Sequence, residues 1–317
     1  MKLHELVTRY VAYRRSLGER FRTAAAFLQS LCRQVGEDTR VADITTTQID
    51  AFLMGKAELT SSWYERYCAL RGLYKYAISR GHVSTAPLPA VIPKRPPAFV
   101  PYVYTRDELR RLLNATTTYQ RYLVGNVIEA DTMRMVLLLL YGAGLRCREA
   151  IGLNVQDVDL PNALVTIRLT KFYKSRILPI SKHLVQALSE FHERQRTVRG
   201  PLDGDAPYFI ARDGIRIRDG TLRQCFRRIC KHAGVRRSDG ARYQPRLHDL
   251  RHSFAVHRVT SWYRSGADVQ KLLPQLSVYM GHVRLAATQV YLSMTPELLQ
   301  QAGTRFEGYA WKDVRNE

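Results

Sequence analysis

The chain has 317 residues, of which 45% are hydrophobic, so it is long enough for two domains with sizeable cores and too apolar to be disordered. Its 49 lysines and arginines face 28 aspartates and glutamates, a net charge of +21, which points to a polyanionic partner and nucleic acid above all. No apolar run reaches the roughly 18 residues of a membrane span; the longest candidate, MVLLLLYGAGL, is short and broken by glycine.

The first segment, MKLHELVTRYVAYRRSLGER, is amphipathic and charged throughout, which is not the pattern of a secretory signal. Leu3, Leu6, Val7, Tyr10, Val11 and Leu17 fall on one face of a helix. A second helix is expected over about 23–35, with Phe27, Leu28, Leu31 and Val35 aligned. TTTQIDAFLMG opens with capping residues and reads as a third. SSWYERYCALRGLYKYAISRGHV places Trp63, Tyr67, Leu70, Tyr74 and Ala77 on one face of a fourth. Residues 1–86 thus read as a small all-helical domain.

APLPAVIPKRPPAFVPY then holds six prolines in seventeen residues, which disfavours helix and sheet alike. The expected linker is 87–104, carrying Lys94 and Arg95, and the second domain is expected over 105–317. Thr105 and Glu108 form a capping box at its first helix. MRMVLLLLYGAGLRCREAIGL reads as a buried helix, a glycine turn and a new helix start. ALVTIRLTKFYKSRILPI alternates Val165, Ile167 and Leu169 on one face and then runs β-like again, a hairpin with a charged tip. From about 219 the pattern is helical to the vicinity of Tyr291. The expected fold class is mainly α: a helical N-terminal domain and a mostly helical second domain with a small antiparallel sheet. Both parts are basic, +7 over residues 1–100 and +14 over the remainder. The cysteines, Cys32, Cys68, Cys147, Cys225 and Cys230, are odd in number and form no C-x-x-C pair, as expected of reduced thiols in a cytoplasmic protein.

The densest chemistry lies in RLHDLRHSFAVH, residues 246–257, where His248 and Arg251 share a helical face. Upstream, GAGLRCRE places Arg146 after a glycine turn with Glu149 three residues on, able to orient it. The hairpin tip offers Lys171 and Lys174, and MGHVRLAATQVYL places His282 after a glycine and Tyr291 nine residues later. Taken singly, each has a plain reading: surface arginine, capping histidine, core tyrosine, solvated lysine. A metal site on His248, His252 and His257 is disfavoured, because Arg251 would repel a cation and Asp249 is the one nearby carboxylate.

In order, Arg, Lys, His-x-x-Arg, Gly-His and Tyr resemble the signature of the tyrosine recombinase (lambda integrase) family. The segments that carry the resemblance are YGAGLRCREAIGLNVQDVDL, TKFYKSRILPI, LHDLRHSFAVH and YMGHVRLAATQVYL, spanning roughly 105–300. Residues 1–86 are more weakly similar to the family's core-binding domain, and the strap is in the family's place. KLLPQLSVYMGH departs from the pattern by being longer and containing a proline, a hint of the recombinases carried by transposons and plasmids.

The resemblance implies site-specific DNA recombination through a 3′-phosphotyrosine, as in integration, excision or resolution of a mobile element. It implies two domains closing on double-stranded DNA that carries recombination sites, and a tetramer on that DNA. A type IB-like topoisomerase and a non-catalytic DNA-binding regulator are the alternatives. The implied catalytic set is Arg146, Lys171, His248, Arg251, His282 and Tyr291, with Lys171 preferred to Lys174 because it takes the family position.

Elementary chemistry agrees with that set. Two arginines can hold the non-bridging oxygens of a phosphodiester and the added charge of a pentavalent transition state. His248 and His282 can add donors, and His248 can carry a proton. Tyr291 supplies a phenol activated by positive charge, and a hairpin lysine can protonate the leaving 5′ oxygen. No metal or other cofactor is required by this scheme.

Overall fold

The computed structural model describes residues 1–55, 59–95, 100–120, 127–168, 175–241, 243–282 and 284–293, with 300 and 303. Two compact units divide the chain, Met1–Phe99 and Val100–Glu317.

The first unit is built on four helices: α1 (Leu3–Ser16), α2 (Arg22–Val35), α3 (Thr46–Met54) and α4 (Ser61–Ser79). Each is amphipathic, and their apolar stripes meet in one core. Leu3, Leu6 and Tyr10 of α1, Leu28 and Leu31 of α2, Ile49 of α3, and Leu70 and Tyr74 of α4 are all buried there. Thr45 caps α3 through a reciprocal pair with Gln48. The first part of the proline strap packs back on this unit: Tyr64 donates to the Pro93 carbonyl at 2.7 Å, and Arg95 lies over the Tyr64 ring.

Near the start of the second unit Tyr104 is fully buried, followed by α5 (Arg106–Gln120). The expected capping box is present: the Thr105 amide donates to Glu108 Oε2 at 2.8 Å, and the Glu108 amide to Thr105 Oγ1 at 3.1 Å. α6 (Ala130–Gly142) is the central helix, with Met133, Val136, Leu137, Leu139 and Leu140 buried. A glycine turn leads to the short α7 (Cys147–Ala150). β1 (Val158–Asp159), β2 (Leu164–Ile167) and β3 (Arg176–Pro179) form an antiparallel sheet in that order. Val165 and Ile167 face the core as expected, with Val165 paired to Leu178 and Ile167 to Arg176. Leu169 and the hairpin tip, including Lys171 and Lys174, lie outside the described residues.

One helix was not anticipated. α8 (Lys182–Arg199) follows the sheet, capped by Ser181, with Leu184, Leu188 and Phe191 buried at helical spacing. Then come α9 (Asp219–His232), α10 (Asp249–Arg264), α11 (Val269–Met280) and α12 (Ala286–Gln289). Pro274 sits inside α11 without ending it. Tyr291 lies in a 3-10 turn, Val290–Ser293, just past α12. Leu298, Leu299, Phe306, Tyr309 and Trp311, the large apolar residues that follow Tyr291 in the sequence, lie outside the described residues. No described helix is long and apolar enough to cross a membrane.

Candidate active site

The site forms around the C-terminal end of α11. The last carbonyls of a helix have no intrahelical donor and carry the negative end of its dipole. Three arginines from three places in the chain satisfy them in succession. Arg176 Nε donates to the Tyr279 carbonyl at 3.2 Å, Arg251 Nη2 to Met280 at 2.5 Å, and Arg146 Nη2 to Gly281 at 2.9 Å. Gly281 ends the helix in the left-handed region, φ 67°, which turns the chain and delivers His282 beside the arginines.

Three cations this close repel one another, and Glu149 offsets that charge. Its Oε1 accepts from Arg146 Nη1 at 2.7 Å and Arg176 Nη1 at 3.0 Å. Its Oε2 accepts from Arg176 Nη2 at 2.7 Å and the Arg146 amide at 3.0 Å, and lies 4.0 Å from Arg251 Nη1. Burial opposes a charged carboxylate here, but the Arg176 and Arg146 hydrogen bonds prevail and hold Glu149 down to about 2. Arg251 is buried and also donates to the Gly144 carbonyl. Burial, then Arg146, push it down to about 9, which leaves it cationic at neutral pH. Arg146 is the more open of the two, with about a third of its side chain exposed (34%), so its guanidinium can reach an incoming anion.

Gly144 is required at its turn. With φ 62° it lies in the left-handed region, and a Cβ would stand 2.5 Å from the Phe254 ring. The close approach brings its carbonyl to Arg251, so the glycine turn seen in the sequence links α6 to α10.

α10 supplies the histidines. His248 stands at its N-cap, and Asp249, fully buried, accepts from the Arg246 amide at 2.8 Å and Nη2 at 2.9 Å, which braces the turn. His248 and His252 meet edge to face, ring centroids 4.9 Å apart. His257, the third histidine of the segment, points elsewhere: its Nδ1 bonds Tyr141 Oη at 2.9 Å. His282 Nδ1 pairs with the buried Thr288 hydroxyl at 2.7 Å, which leaves Nε2 available to a ligand. Burial first, then neighbouring cations, bring His248, His252 and His282 down to about 4, so all three are neutral at pH 7.

Tyr291 is buried, with its hydroxyl 3.1 Å from His252 Nδ1 and its ring 6.1 Å from that of His282. Arg251 and Arg146 pull its pKa down as expected, yet burial outweighs them and the phenol sits above its ordinary value. The structure therefore brings together Arg146, His248, Arg251, His282 and Tyr291. It adds Glu149 as a shared carboxylate, Arg176 and Thr288, which no motif in the sequence marks, and His252, which the sequence offers only within the disfavoured metal set. Among the described residues no group of three or more His, Cys, Asp and Glu side chains is arranged to hold a metal ion.

Comparison with known proteins decides the family. The Phage integrase family description matches residues 103–297. A putative integrase/recombinase, y4rB of Sinorhizobium fredii, is 32% identical over 318 residues, covering 98% of each chain. The chain belongs to the phage integrase family. Tyrosine recombinase XerD of Mycobacterium leprae is 34% identical over 243 residues, 74% of this chain and 69% of its own. Among solved structures, the Tn1549 transposon integrase in complex with transposon right end DNA superposes with a TM-score of 0.68 at 17% identity, covering 98% of this chain and 100% of that one. A lambda integrase tetramer bound to a Holliday junction gives 0.64 at 18% identity, over 92% of this chain and 77% of that one. As a member of this family the protein is a tyrosine recombinase, an enzyme that breaks and rejoins DNA strands at specific sites. The mainly helical fold with a small antiparallel sheet is the one expected from the sequence.

Proposed function

We propose that Tyr291 is the nucleophile of this recombinase and that Arg146 and Arg251 seat the scissile phosphate. The observation that carries the reading is convergence at one helix end: Arg146 lies 135 residues from the Gly281 carbonyl it binds, and Tyr291 lies close enough to feel the charge of Arg251 and Arg146. Arginine forks match the non-bridging phosphate oxygens and stabilise the pentavalent transition state. His282 donates from Nε2 to the same oxygens, because Thr288 occupies its other nitrogen. His248 adds a second imidazole at the rim. Lys171 protonates the leaving 5′ oxygen from the hairpin between β2 and β3. The bond energy is kept in a 3′-phosphotyrosine, so religation needs no nucleotide cofactor.

The partner is double-stranded DNA bearing recombination sites, and the working assembly is a tetramer on that DNA, acting in the cytoplasm on a mobile element. Three kinds of support bear on this: the charge of +21, the family's strand-exchange chemistry, and the DNA and junction complexes of the structural neighbours. Residues 1–86 serve as a core-binding domain, 87–104 as a linker and 105–317 as the catalytic domain.

The test is to mix the protein with two duplexes that carry its site and to follow two products. A covalent adduct should map by mass spectrometry to Tyr291, and a four-way junction should form between the duplexes. Relaxation of supercoils without junctions would favour a topoisomerase, and binding without any adduct would favour a regulator.

A further inference from the structure

We infer that His252 is a further catalytic residue of this site: its imidazole Nδ1 receives the phenolic proton of Tyr291 as the tyrosine oxygen bonds to phosphorus. The inference rests on Tyr291 being the nucleophile.

Position is the first argument. His252 Nδ1 lies 3.1 Å from Tyr291 Oη, hydrogen-bond distance from the atom that must lose a proton. The rings meet at 5.6 Å between centroids, tilted by 57°. His252 is the residue after Arg251 on α10, so the same helical turn seats a phosphate-binding arginine and this imidazole. Any shift of that turn moves both together.

Elimination is the second. Tyr291 is 2% exposed, so bulk water is screened from its hydroxyl. His282 is engaged at Nδ1 by Thr288. Among the described residues, the Tyr291 hydroxyl hydrogen-bonds to His252. A phenol O–H needs an acceptor, and a neutral imidazole with its hydrogen on Nε2 offers a lone pair at Nδ1.

The electrostatics are compatible. The charged and titratable groups facing His252 are Arg246, Arg251, His248, His282 and Tyr291. Burial, then Arg246, Arg251 and His282, keep it neutral and therefore able to accept. A phosphodiester seated on Arg251 and Arg146 places negative charge beside the ring and reverses part of that push, strengthening the base when substrate arrives.

The proton and bond count closes. Tyr291 Oη–P forms and P–O5′ breaks. The phenolic proton goes to His252 Nδ1, and the departing 5′ oxygen takes a proton from a general acid, the role proposed for Lys171. In religation the imidazolium returns its proton to the departing phenolate.

The test uses an end-labelled duplex recovered by the full-length protein from random-sequence DNA and nicked beside the cut, so that adduct accumulates. Single-turnover adduct formation is followed from pH 6 to 10 for wild type, His252→Ala, His252→Asn and Tyr291→Phe. The Ala variant should slow by about 100-fold, within the range for a lost general base. The Asn variant keeps an acceptor oxygen near the Nδ1 position but cannot carry the proton, and should remain at least about tenfold slow. Both rates should climb with pH as hydroxide replaces the imidazole, and added imidazole should accelerate the Ala variant, with gel-shift affinity unchanged. A His252→Ala rate within threefold of wild type would overturn the proposal. So would a loss that neither pH nor imidazole restores, since that marks a packing role. If the Ala variant fails to fold by circular dichroism, the Asn variant carries the same test. Adduct from Tyr291→Phe would instead overturn the nucleophile assignment, a separate result.

Discussion

Arg176 and Glu149 form a two-pronged ion pair, Nη1 to Oε1 at 3.0 Å and Nη2 to Oε2 at 2.7 Å, beneath the guanidinium of Arg146. Arg176 also holds the Tyr279 carbonyl, so it ties the β-sheet to both Arg146 and the α11 terminus. Its hydrogen bonds run to Glu149 and the Tyr279 carbonyl, which gives it a positioning role exerted through those neighbours.

Arg176→Met should therefore lower the cleavage rate at least about tenfold and leave DNA affinity within about twofold, because bulk charge supplies most of the affinity. Arg176→Lys should recover only part of the rate, since a lysine cannot reproduce the fork. Single-turnover cleavage and gel shifts on one substrate would check this. A parallel fall in affinity and rate would mean that Arg176 serves DNA binding instead.

Arg176 is the part of the site least legible in the sequence. Periodicity identified the strand, because Val165 and Ile167 alternate inward. Alternation from Leu178 puts Arg176 on the inward face as well, where an arginine needs a buried partner, and that was the available signal. Its partner Glu149 was legible as an orienting group for Arg146 at local spacing, but not as a carboxylate shared with a strand. His252 stands in the sequence only within a disfavoured metal set, and no local rule reveals that Tyr291 folds back onto it. α8 was missed although Ser181 and the Leu184, Leu188, Phe191 spacing mark it. The Thr105 cap and the glycine turn at Gly144 are legible because each is encoded within a few residues, and the motif set because its order along the chain resembles the family signature.

Glu149→Gln tests the charge balance through pH. The native carboxyl lies near 2, below its ordinary value near 4.5, so its stabilisation is fully present above about 4.5 and is lost as pH falls toward 2. The gap corresponds to on the order of 3 kcal/mol at neutral pH. Wild type should exceed the variant by roughly that amount in urea melts at pH 7, and the two should converge as pH drops below 4.5. A difference independent of pH would show that packing, not charge, is what the glutamate contributes.

Gly281→Ala probes the helix end that gathers the arginines. Its φ of 67° disfavours a side chain, and the new Cβ would lie 2.9 Å from Arg176 Nη1. The stability cost should be modest, about 1–2 kcal/mol. Cleavage should fall far more than stability does, because Arg176 must shift and the His282 turn moves with it. Thermal melts alongside single-turnover cleavage separate the two effects. Equal cleavage by variant and wild type would show that this turn tolerates displacement.

Lys171→Ala should slow cleavage of ordinary DNA far more than cleavage of a 5′-phosphorothiolate, whose sulfur leaves without a proton. Loss of a general acid is worth about 100-fold or more on the oxygen substrate, and the thiolate substrate should cancel most of it. Equal slowing on both substrates would remove the general-acid role and return Lys174 to consideration.

Tyr291→Phe deletes one oxygen and keeps the ring. The lost bond to His252 should cost about 1–2 kcal/mol of stability, because it takes the donor from Nδ1 of a largely buried imidazole. DNA affinity should be preserved, because the arginines and the bulk charge hold the phosphate. Covalent chemistry alone should vanish. On end-labelled duplex nicked near the cut, wild type should give a protease-sensitive, slow-migrating band and the variant none at equal gel-shift affinity. An adduct formed by the variant would assign the nucleophile elsewhere, with Tyr279 a further phenol to examine: its hydroxyl is spent on the Pro179 carbonyl at 3.1 Å, so recruiting it would require the end of α11 to turn away from the sheet.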